Sequence, residues 1–362
     1  MKKDKIFCLT IFSILIFTTY MGFIFDEKMK MEVLKEIKNI NKILLCIITF
    51  ILFFTKREYL KKEIKNILML IVFVLILRNL YLSFFVIIIS IFINKNFRLK
   101  SLFYIFILFY ILTLILNSLG YLEFNNLKYG IRKFEEFEVF RHALGFSHPN
   151  LAMSLLIPIF SLLYYLYYPK YKKSVIIIIL IVGKIIFDLT FSRTTFILIF
   201  LFIFLILIND KYIKKIEKLF LIEGFLFEIL TLSLPFYFNN TILNRILSGR
   251  LWIFHHYLTT HKITLFGYKI VEETYRKYPL DNIYLQILLE NGILGFCLLT
   301  ILIFITMKIL FENEDYKAVR IFAIILIFGF METRALFYNF NIIYFIIPDY
   351  IFLKFILNRR IN

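Results

Sequence analysis

The sequence predicts an all-α fold, a polytopic integral membrane helical bundle with about 12 transmembrane helices and two longer extracytoplasmic loops. Its 362 residues are 61% hydrophobic and only 19% charged, against roughly 45–50% apolar content in soluble domains. The apolar residues also fall into long runs separated by short charged segments, which is typical of helices that cross the hydrocarbon. We therefore expect a single membrane domain over residues 1–362.

The first apolar run, 6–25, has no small-residue cleavage site, so we interpret it as a membrane helix rather than a secretory signal. Several runs are shorter than the roughly 20 residues that a span needs. Arg78 and Asn79 favour a hairpin of two short helices, because a charge at mid-bilayer is expensive. The remaining runs centre on residues 43–55, 66–77, 80–93, 101–119, 151–168, 174–191, 195–208, 219–238, 283–307, 319–331 and 341–357.

Basic residues in the connections predict that both termini are cytoplasmic. With the N-terminus inside, every inner connection carries at least three lysines or arginines, whereas each short outer turn carries one. The first outer loop, 26–42, is an exception with five lysines, and we interpret it as an amphipathic interfacial helix. The outer segments 120–149 and 239–281 are long, and long ordered loops are usually functional.

The net charge of +18 fits nucleic acid, anionic lipid headgroups or a phosphate-bearing substrate, and in a membrane protein we expect no nucleic-acid partner. The three cysteines lie inside apolar runs and are interpreted as packing residues. Within 239–281, apolar residues spaced at helical intervals predict an amphipathic helix on the outer leaflet. They are Leu243, Leu247, Leu251, Phe254 and Leu258.

The first group of candidate residues lies between Arg141 and Asn150, where a basic, glycine-containing turn leads into an apolar helix. Asn150 is expected to cap that helix, and Pro149 fixes the chain before it. This segment fits an ordinary helix start with a snorkelling arginine. It also fits an anion site, because helix N-termini and arginine together suit phosphate oxygens.

A second group is the turn Phe191-Ser-Arg-Thr-Thr195, where Arg193 is either a snorkelling anchor or a second cation on the side of Arg141. Before it, Lys184 and Asp188 are four residues apart in an apolar helix. We expect them to form a neutralising pair rather than a proton relay, since isolated charges there would be costly.

The third group runs from Ser248 to Gly295 and contains Gly249-Arg250, Phe266-Gly267 and Asp281-Asn282. Its three histidines do not have the i,i+4 spacing of two metal ligands on one helix face, so we expect no metal site. Trp252 fits an interfacial anchor or a sugar-stacking platform, with the anchor as the default interpretation. Asp281-Asn282 is expected to cap the next helix, in which Glu290-Asn291-Gly292 forms a polar notch.

Taken together, these motifs resemble the O-antigen polymerase/ligase superfamily of bacterial envelope proteins, particularly the Wzy-type polysaccharide polymerases. The resemblance rests on the R-x-x-x-G-F-x-H-P-N pattern of 141–150, Ser192-Arg193-Thr194, Gly249-Arg250, Phe266-Gly267, and the Asp281-Asn-x-Tyr-Leu…Glu-x-Gly-Ile-Leu-Gly segment. Ligases of this superfamily typically have a histidine before the asparagine where this chain has Asp281. That difference favours a polymerase over a ligase.

The resemblance implies a glycosyltransferase of the bacterial cytoplasmic membrane that uses no cofactor. It would transfer a glycan from a polyprenyl pyrophosphate onto a sugar hydroxyl of another lipid-linked repeat at the outer face. Its partners would be that lipid-linked oligosaccharide, the lipid bilayer and, as an open possibility, a chain-length regulator protein. Arg141, Arg193 and Arg250 would hold the departing pyrophosphate, with Asn150 and Asn282 as further substrate-binding residues.

The acceptor hydroxyl must lose a proton, and His148 and Asp281 are the first candidates for the base, ahead of His142 and His255. Alternatively, catalysis relies on leaving-group stabilisation and His148 only orients the acceptor. Two other functions stay open at this point. A ligase would use similar donor chemistry, whereas a flippase or other transporter should concentrate its charged residues within the helices.

Overall fold

The computed structural model of this chain describes residues 81–91, 93–122, 131–133, 138–240, 249–270 and 279–351, together with positions 14, 24, 76, 77, 242, 244, 247 and 274. Predictions for the first two spans, the 26–42 loop, the Arg78-Asn79 hairpin turn and both termini lie outside these residues. So do Cys8 and Cys46.

The described part of the chain is mostly helical, as the composition predicts. Its β structure is one antiparallel hairpin, in which Ile131 pairs with Phe140 and Lys133 with Glu138. The elements are α1 (Tyr81–Ser90), α2 (Lys95–Ser118), β1 (Ile131–Lys133), β2 (Glu138–Phe140), α3 (Pro149–Ser154), α4 (Leu156–Tyr167), α5 (Lys172–Thr190), α6 (Arg193–Leu207), α7 (Asp210–Lys215), α8 (Glu217–Leu221), α9 (Glu223–Ser233), α10 (Arg250–Thr260), α11 (Ile283–Glu312), α12 (Tyr316–Gly329) and α13 (Pro348–Ile351). Short 3-10 turns cover Leu234–Tyr237, Thr333–Leu336 and Ile342–Phe345.

Three helical segments are long and apolar enough to cross a membrane within the described ranges: Lys95–Ser118, Pro149–Tyr167 and Ile283–Glu312. The apolar helix Arg193–Leu207 is shorter. These segments are compatible with a membrane protein, but a bundle of twelve spans is not confirmed. Large apolar side chains such as Leu108, Ile181 and Phe204 are exposed along these helices and α5, as expected of surfaces that face lipid.

The chain divides into two compact units. The first contains residues 1–62, 85–203 and 344–362, and the second contains 63–84 and 204–343.

In the first unit, segments that the sequence assigns to the outer side lie together at one end. The backbone N–H of His142 donates to the carbonyl of Leu189 near the end of α5, at 2.8 Å. A Cβ on Gly145 would lie 3.0 Å from the Cβ of Asn117, near the end of α2. Lys95 begins α2 at the other end, where its ammonium lies 5.2 Å from the ring centroid of Tyr165 in α4.

The second unit has the same division into two ends. At one end, Asn282 before α11 donates from Nδ2 to the Thr231 hydroxyl near the end of α9, at 3.2 Å. At the other end, Arg320 of α12 donates to the carbonyls of Leu205 and Ile208, at 2.8 and 2.6 Å, and forms an ion pair with Asp210. The predicted outer and inner residues of this unit therefore lie at different ends.

The segment predicted as a span over 341–357 is not a continuous helix where the structure describes it. A 3-10 turn covers Ile342–Phe345, and α13 begins only at Pro348. The side chain of Asn341 accepts a hydrogen bond from the backbone N–H of Ile343 at 3.0 Å. This turn and Pro348 interrupt the run, because proline cannot continue a helix through its own position.

The predicted amphipathic helix is described from Arg250 onward as α10, and its apolar stripe packs against protein rather than facing outward. Phe254 and Tyr257 are buried in one apolar cluster with Leu285, Leu288 and Leu289 of α11. Removing an apolar stripe from water is stabilising whether protein or lipid covers it. In α10 the covering side chains belong to the protein. Leu243 lies outside the described residues.

Candidate functional site

Arg141 organises the first group of predicted residues, which we name the Arg141 cluster (Arg141, His148, Asn150 and Thr190). Arg141 is buried, with 8% of the residue exposed. Nε donates to the Thr190 carbonyl at 2.8 Å, and Nη2 donates to Oδ1 of Asn150 at 2.6 Å. Arg141 thereby joins the start of α3 to the end of α5, so a group bound by this guanidinium would lie beside both helix ends.

His148 caps α3, and the prediction that Asn150 caps this helix is wrong. The Nδ1 atom of His148 accepts from the backbone N–H of Asn150 at 3.0 Å, with Pro149 at the first helical position. Asn150 is already inside the helix, and its side chain is the partner of Arg141 instead. A neutral imidazole that accepts at Nδ1 carries its hydrogen on Nε2. With Nδ1 used in the cap, this ring nitrogen of His148 is not available as a base.

The turn predicted at Phe191–Thr195 is confirmed. Phe191 adopts a left-handed conformation, with φ of 49°, and Arg193 begins α6. The buried hydroxyls of Ser192 and Thr195 lie 3.5 Å apart. Since Arg141 binds the carbonyl of Thr190, the structure brings this turn and the first group of predicted residues to the same end of the first unit.

The pair of Lys184 and Asp188 is confirmed as a salt bridge within α5. Its side chains are 60% and 53% exposed. Such a pair neutralises two charges on a helix surface.

The second unit holds the Arg250 cluster, which we define as Arg250, Asp281, Glu332 and Arg334. Arg250 begins α10 and is 8% exposed. Its Nη2 and Nε atoms lie 3.1 and 3.3 Å from Oδ2 of Asp281. The ion pair joins the start of α10 to the start of α11. Asp281 is therefore the ion-pair partner of the arginine predicted to bind pyrophosphate, and 10% of the Arg250 side chain and 32% of the Asp281 side chain are exposed.

Asn282 is fully buried and caps α11, as predicted for this dipeptide. Its Oδ1 accepts from the backbone N–H of Leu285 at 2.9 Å, and its Nδ2 donates to the Thr231 hydroxyl. Both polar ends of the amide are thus used within the protein. Asn282 fixes the position of Asp281, and the structure does not direct it towards a substrate.

Sequence reasoning missed Glu332. Burial raises the pKa of its carboxyl, and the charge of Asp281 raises it further, while Arg334 and Arg250 oppose the shift. The carboxyl also accepts a hydrogen bond from the backbone N–H of Arg334. One sequence feature could have indicated Glu332: a carboxylate and a guanidinium lie two residues apart directly after the apolar run 319–331.

Phe266-Gly267, another motif of the sequence, contacts a break in α11. Gly292 has φ of 72° there, which interrupts the helix. The backbone N–H of Tyr268 donates to the carbonyl of Leu289 at 3.0 Å. A Cβ on Gly267 would lie 2.3 Å from the carbonyl carbon of Glu290. Glycine is therefore required at position 267, so this motif is explained by packing.

The remaining candidates contact aromatic rings. His255 stacks on Phe238 with ring centroids 4.4 Å apart, and His142 meets the edge of Phe140 at 4.7 Å. Trp252 is 43% exposed and stacks on His256. Cys297 is exposed, so the expectation that it packs internally is wrong. No group of three metal-ligating side chains occurs among the described residues.

No protein-family model, curated protein or solved structure matches this chain. The chemistry of the Arg141 and Arg250 clusters is therefore the basis for assigning a function.

Proposed function

We propose that this chain is a glycan polymerase of the bacterial cytoplasmic membrane. It transfers a glycan chain from a polyprenyl pyrophosphate onto a sugar hydroxyl of another lipid-linked repeat unit, at the outer face. The observation that carries the proposal is the Arg250 cluster, in which two arginines and two carboxylates lie together at one end of an apolar helical unit.

The two kinds of charge match the two demands of the reaction. The acceptor oxygen forms a bond to C1 of the donor sugar while the bond from C1 to the pyrophosphate oxygen breaks. The bonding electrons leave with the pyrophosphate, whose growing negative charge Arg250 and Arg334 stabilise. The acceptor proton passes to a carboxylate, Asp281 or Glu332. The donor bond is already activated, so the transfer consumes no nucleotide.

The Arg141 cluster supplies a similar anion site in the first unit. The guanidinium of Arg141 is held by a carbonyl and an amide oxygen rather than by a carboxylate. Together with Arg193 on the adjoining turn, Arg141 forms a cationic end suited to phosphate oxygens. His148 would orient the acceptor through Nε2–H.

The decisive experiment supplies the purified full-length protein, in lipid vesicles, with a single lipid-linked repeat. A ladder of products supports a polymerase. No reaction without a separate acceptor, followed by transfer when one is added, supports the ligase alternative. Movement of the repeat across the bilayer without new bonds supports a flippase.

In the same assay, Arg250→Lys tests whether Arg250 binds the pyrophosphate through its planar set of hydrogen-bond donors or through its charge alone. Lysine keeps the charge but loses the planar pair of donors. We expect at least a tenfold loss of polymer formation, because one well-placed hydrogen bond to a charged group contributes about 1.5–3 kcal/mol. Lys211→Ala is the matched control, since Lys211 is exposed on α7 at the other end of this unit. Equal activity of both variants would contradict the role of Arg250.

A further inference from the structure

The loop after α10 presents three large apolar side chains to the surroundings. Ile263, Leu265 and Phe266 are 43%, 54% and 66% exposed. We call these three residues the apolar tip. A surface loop that exposes this much apolar area in four consecutive positions indicates an interaction surface rather than chance exposure.

Backbone hydrogen bonds fix the apolar tip to one end of a candidate span. The N–H groups of Ile293 and Leu294 donate to the carbonyls of Thr264 and Leu265, at 3.0 and 3.2 Å. These two donors directly follow the break at Gly292. The section of α11 after the break has roughly 20 residues and is about 30 Å long, which equals the hydrocarbon thickness of a bilayer. The apolar tip is therefore held at the level where this section enters the hydrocarbon.

Exposed apolar residues continue from the tip along α11. Ile293 is 46% exposed, and farther along the same helix Ile301 and Phe304 are 48% and 42% exposed. Exposed lysines, Lys262 and Lys269, lie on either side of the tip in sequence. Apolar side chains between basic residues are the pattern of segments that insert at the boundary of a bilayer, with the ammonium groups among the lipid headgroups.

We propose that the apolar tip inserts into the bilayer and anchors the 249–270 segment to the lipid surface. The occupant of this surface is lipid rather than protein, because the tip is continuous with the exposed apolar stripe of a candidate span. The contact that the sequence assigned to α10 thus belongs to the loop that follows it. The proposal is independent of the glycan polymerase function.

Tryptophan fluorescence tests the insertion, because Trp252 is the only tryptophan in the chain. In a Trp252→Phe background, Phe266→Trp places a reporter at the tip, and Thr260→Trp places a control at an exposed polar position nearby. The full-length variants are reconstituted in vesicles with or without brominated acyl chains. We expect the loss of emission caused by bromine to be several-fold greater for Phe266→Trp than for Thr260→Trp.

Aqueous iodide provides the opposing measurement on the same samples. Strong quenching of Phe266→Trp by iodide with no quenching by brominated lipid would show a tip in water and overturn the proposal. Protection from both quenchers would show a protein contact, such as a second copy of the chain, and would overturn it equally. If Phe266→Trp does not fold, Leu265→Trp gives the same readout from the next residue.

Discussion

The imidazole of His148 shows how one hydrogen bond restricts a role in catalysis. Its Nδ1 accepts from the backbone of Asn150. We expect His148→Asn to keep the cap and most of the activity, with an unchanged pH profile, because asparagine is a favourable N-cap residue. His148→Ala should lower the free energy of unfolding by about 1 kcal/mol. Thermal unfolding and polymer formation measured on both variants check this. Complete inactivity of a folded His148→Asn would contradict this expectation and show that the imidazole itself is needed, either to take the proton or to orient the acceptor.

Glu332 makes the stability of the protein depend on pH. Burial raises its pKa above the ordinary 4.5 in the folded state. At pH values below 4.5 the carboxyl is protonated in both the folded and the unfolded state, so its ionisation does not lower the stability. As pH rises above this value, the unfolded chain loses the proton more readily, so stability falls until the folded pKa is reached. Each pH unit in this window costs up to about 1.4 kcal/mol.

We therefore expect Glu332→Gln to raise the thermal midpoint at neutral pH and to leave it unchanged near pH 4. Thermal unfolding in detergent across this pH range is the measurement. Glu312→Gln is the control, because Glu312 is 61% exposed beside Lys308. A gain for Glu332→Gln that is the same at every pH would exclude ionisation as its cause.

At the scale of elements, the contact between the 264–268 loop and the break in α11 is the most sensitive to side-chain volume. Gly267 and Gly249 both have positive φ, at 69° and 81°. A Cβ on Gly267 would clash with the α11 backbone, whereas a Cβ on Gly249 would meet nothing within 4 Å. Gly249→Ala should cost about 1–2 kcal/mol from backbone strain alone.

Gly267→Ala should cost distinctly more, because overpacking adds typically 1–3 kcal/mol to that strain. The comparison of the two alanine variants by chemical or thermal unfolding isolates the clash. Equal destabilisation would mean that the loop moves away from α11 without cost. The apolar tip would then lose its fixed position beside the span.

Helix positions followed from the sequence because apolar runs and their polar ends are local signals. The starts of α3 and α11 were predicted from proline, asparagine and aspartate. Which partner covers an apolar stripe is not a local property, and for this reason α10 was assigned to lipid although it packs against α11. The same limit explains Asn150, whose role depends on Arg141 nine residues away.

At the scale of the molecule, the sequence identified three of the four residues of the Arg141 cluster, all but Thr190, and half of the Arg250 cluster. Arg250 and Asp281 carry motifs, so their types and spacing could be recognised. Glu332 and Arg334 reach the same site only through the packing of α12 and the turn that follows it, which no spacing in the chain reveals. The position of Glu332 and Arg334 beside Arg250 can therefore be known only from the folded structure.

In each unit the predicted outer residues and the predicted inner residues lie at different ends, which leads to a prediction about membrane orientation. Tyr121 is 71% exposed beside the outer end of the first unit, and Thr260 is exposed in the 249–270 segment. Lys172 and Lys211 are exposed at the predicted inner ends. The basic residues at these inner ends favour retention on the cytoplasmic side. We expect cysteines at positions 121 and 260 to face the outside.

Single-cysteine variants test this orientation in intact cells with a membrane-impermeant thiol reagent. The background replaces Cys8, Cys46 and Cys297 by serine, which leaves no native thiol. Tyr121→Cys and Thr260→Cys should react before permeabilisation, and Lys172→Cys and Lys211→Cys only after it. The reverse pattern would place both arginine clusters on the cytoplasmic side. A lipid-linked donor at the outer face could not reach them there, so the proposed polymerase function would fail with the orientation.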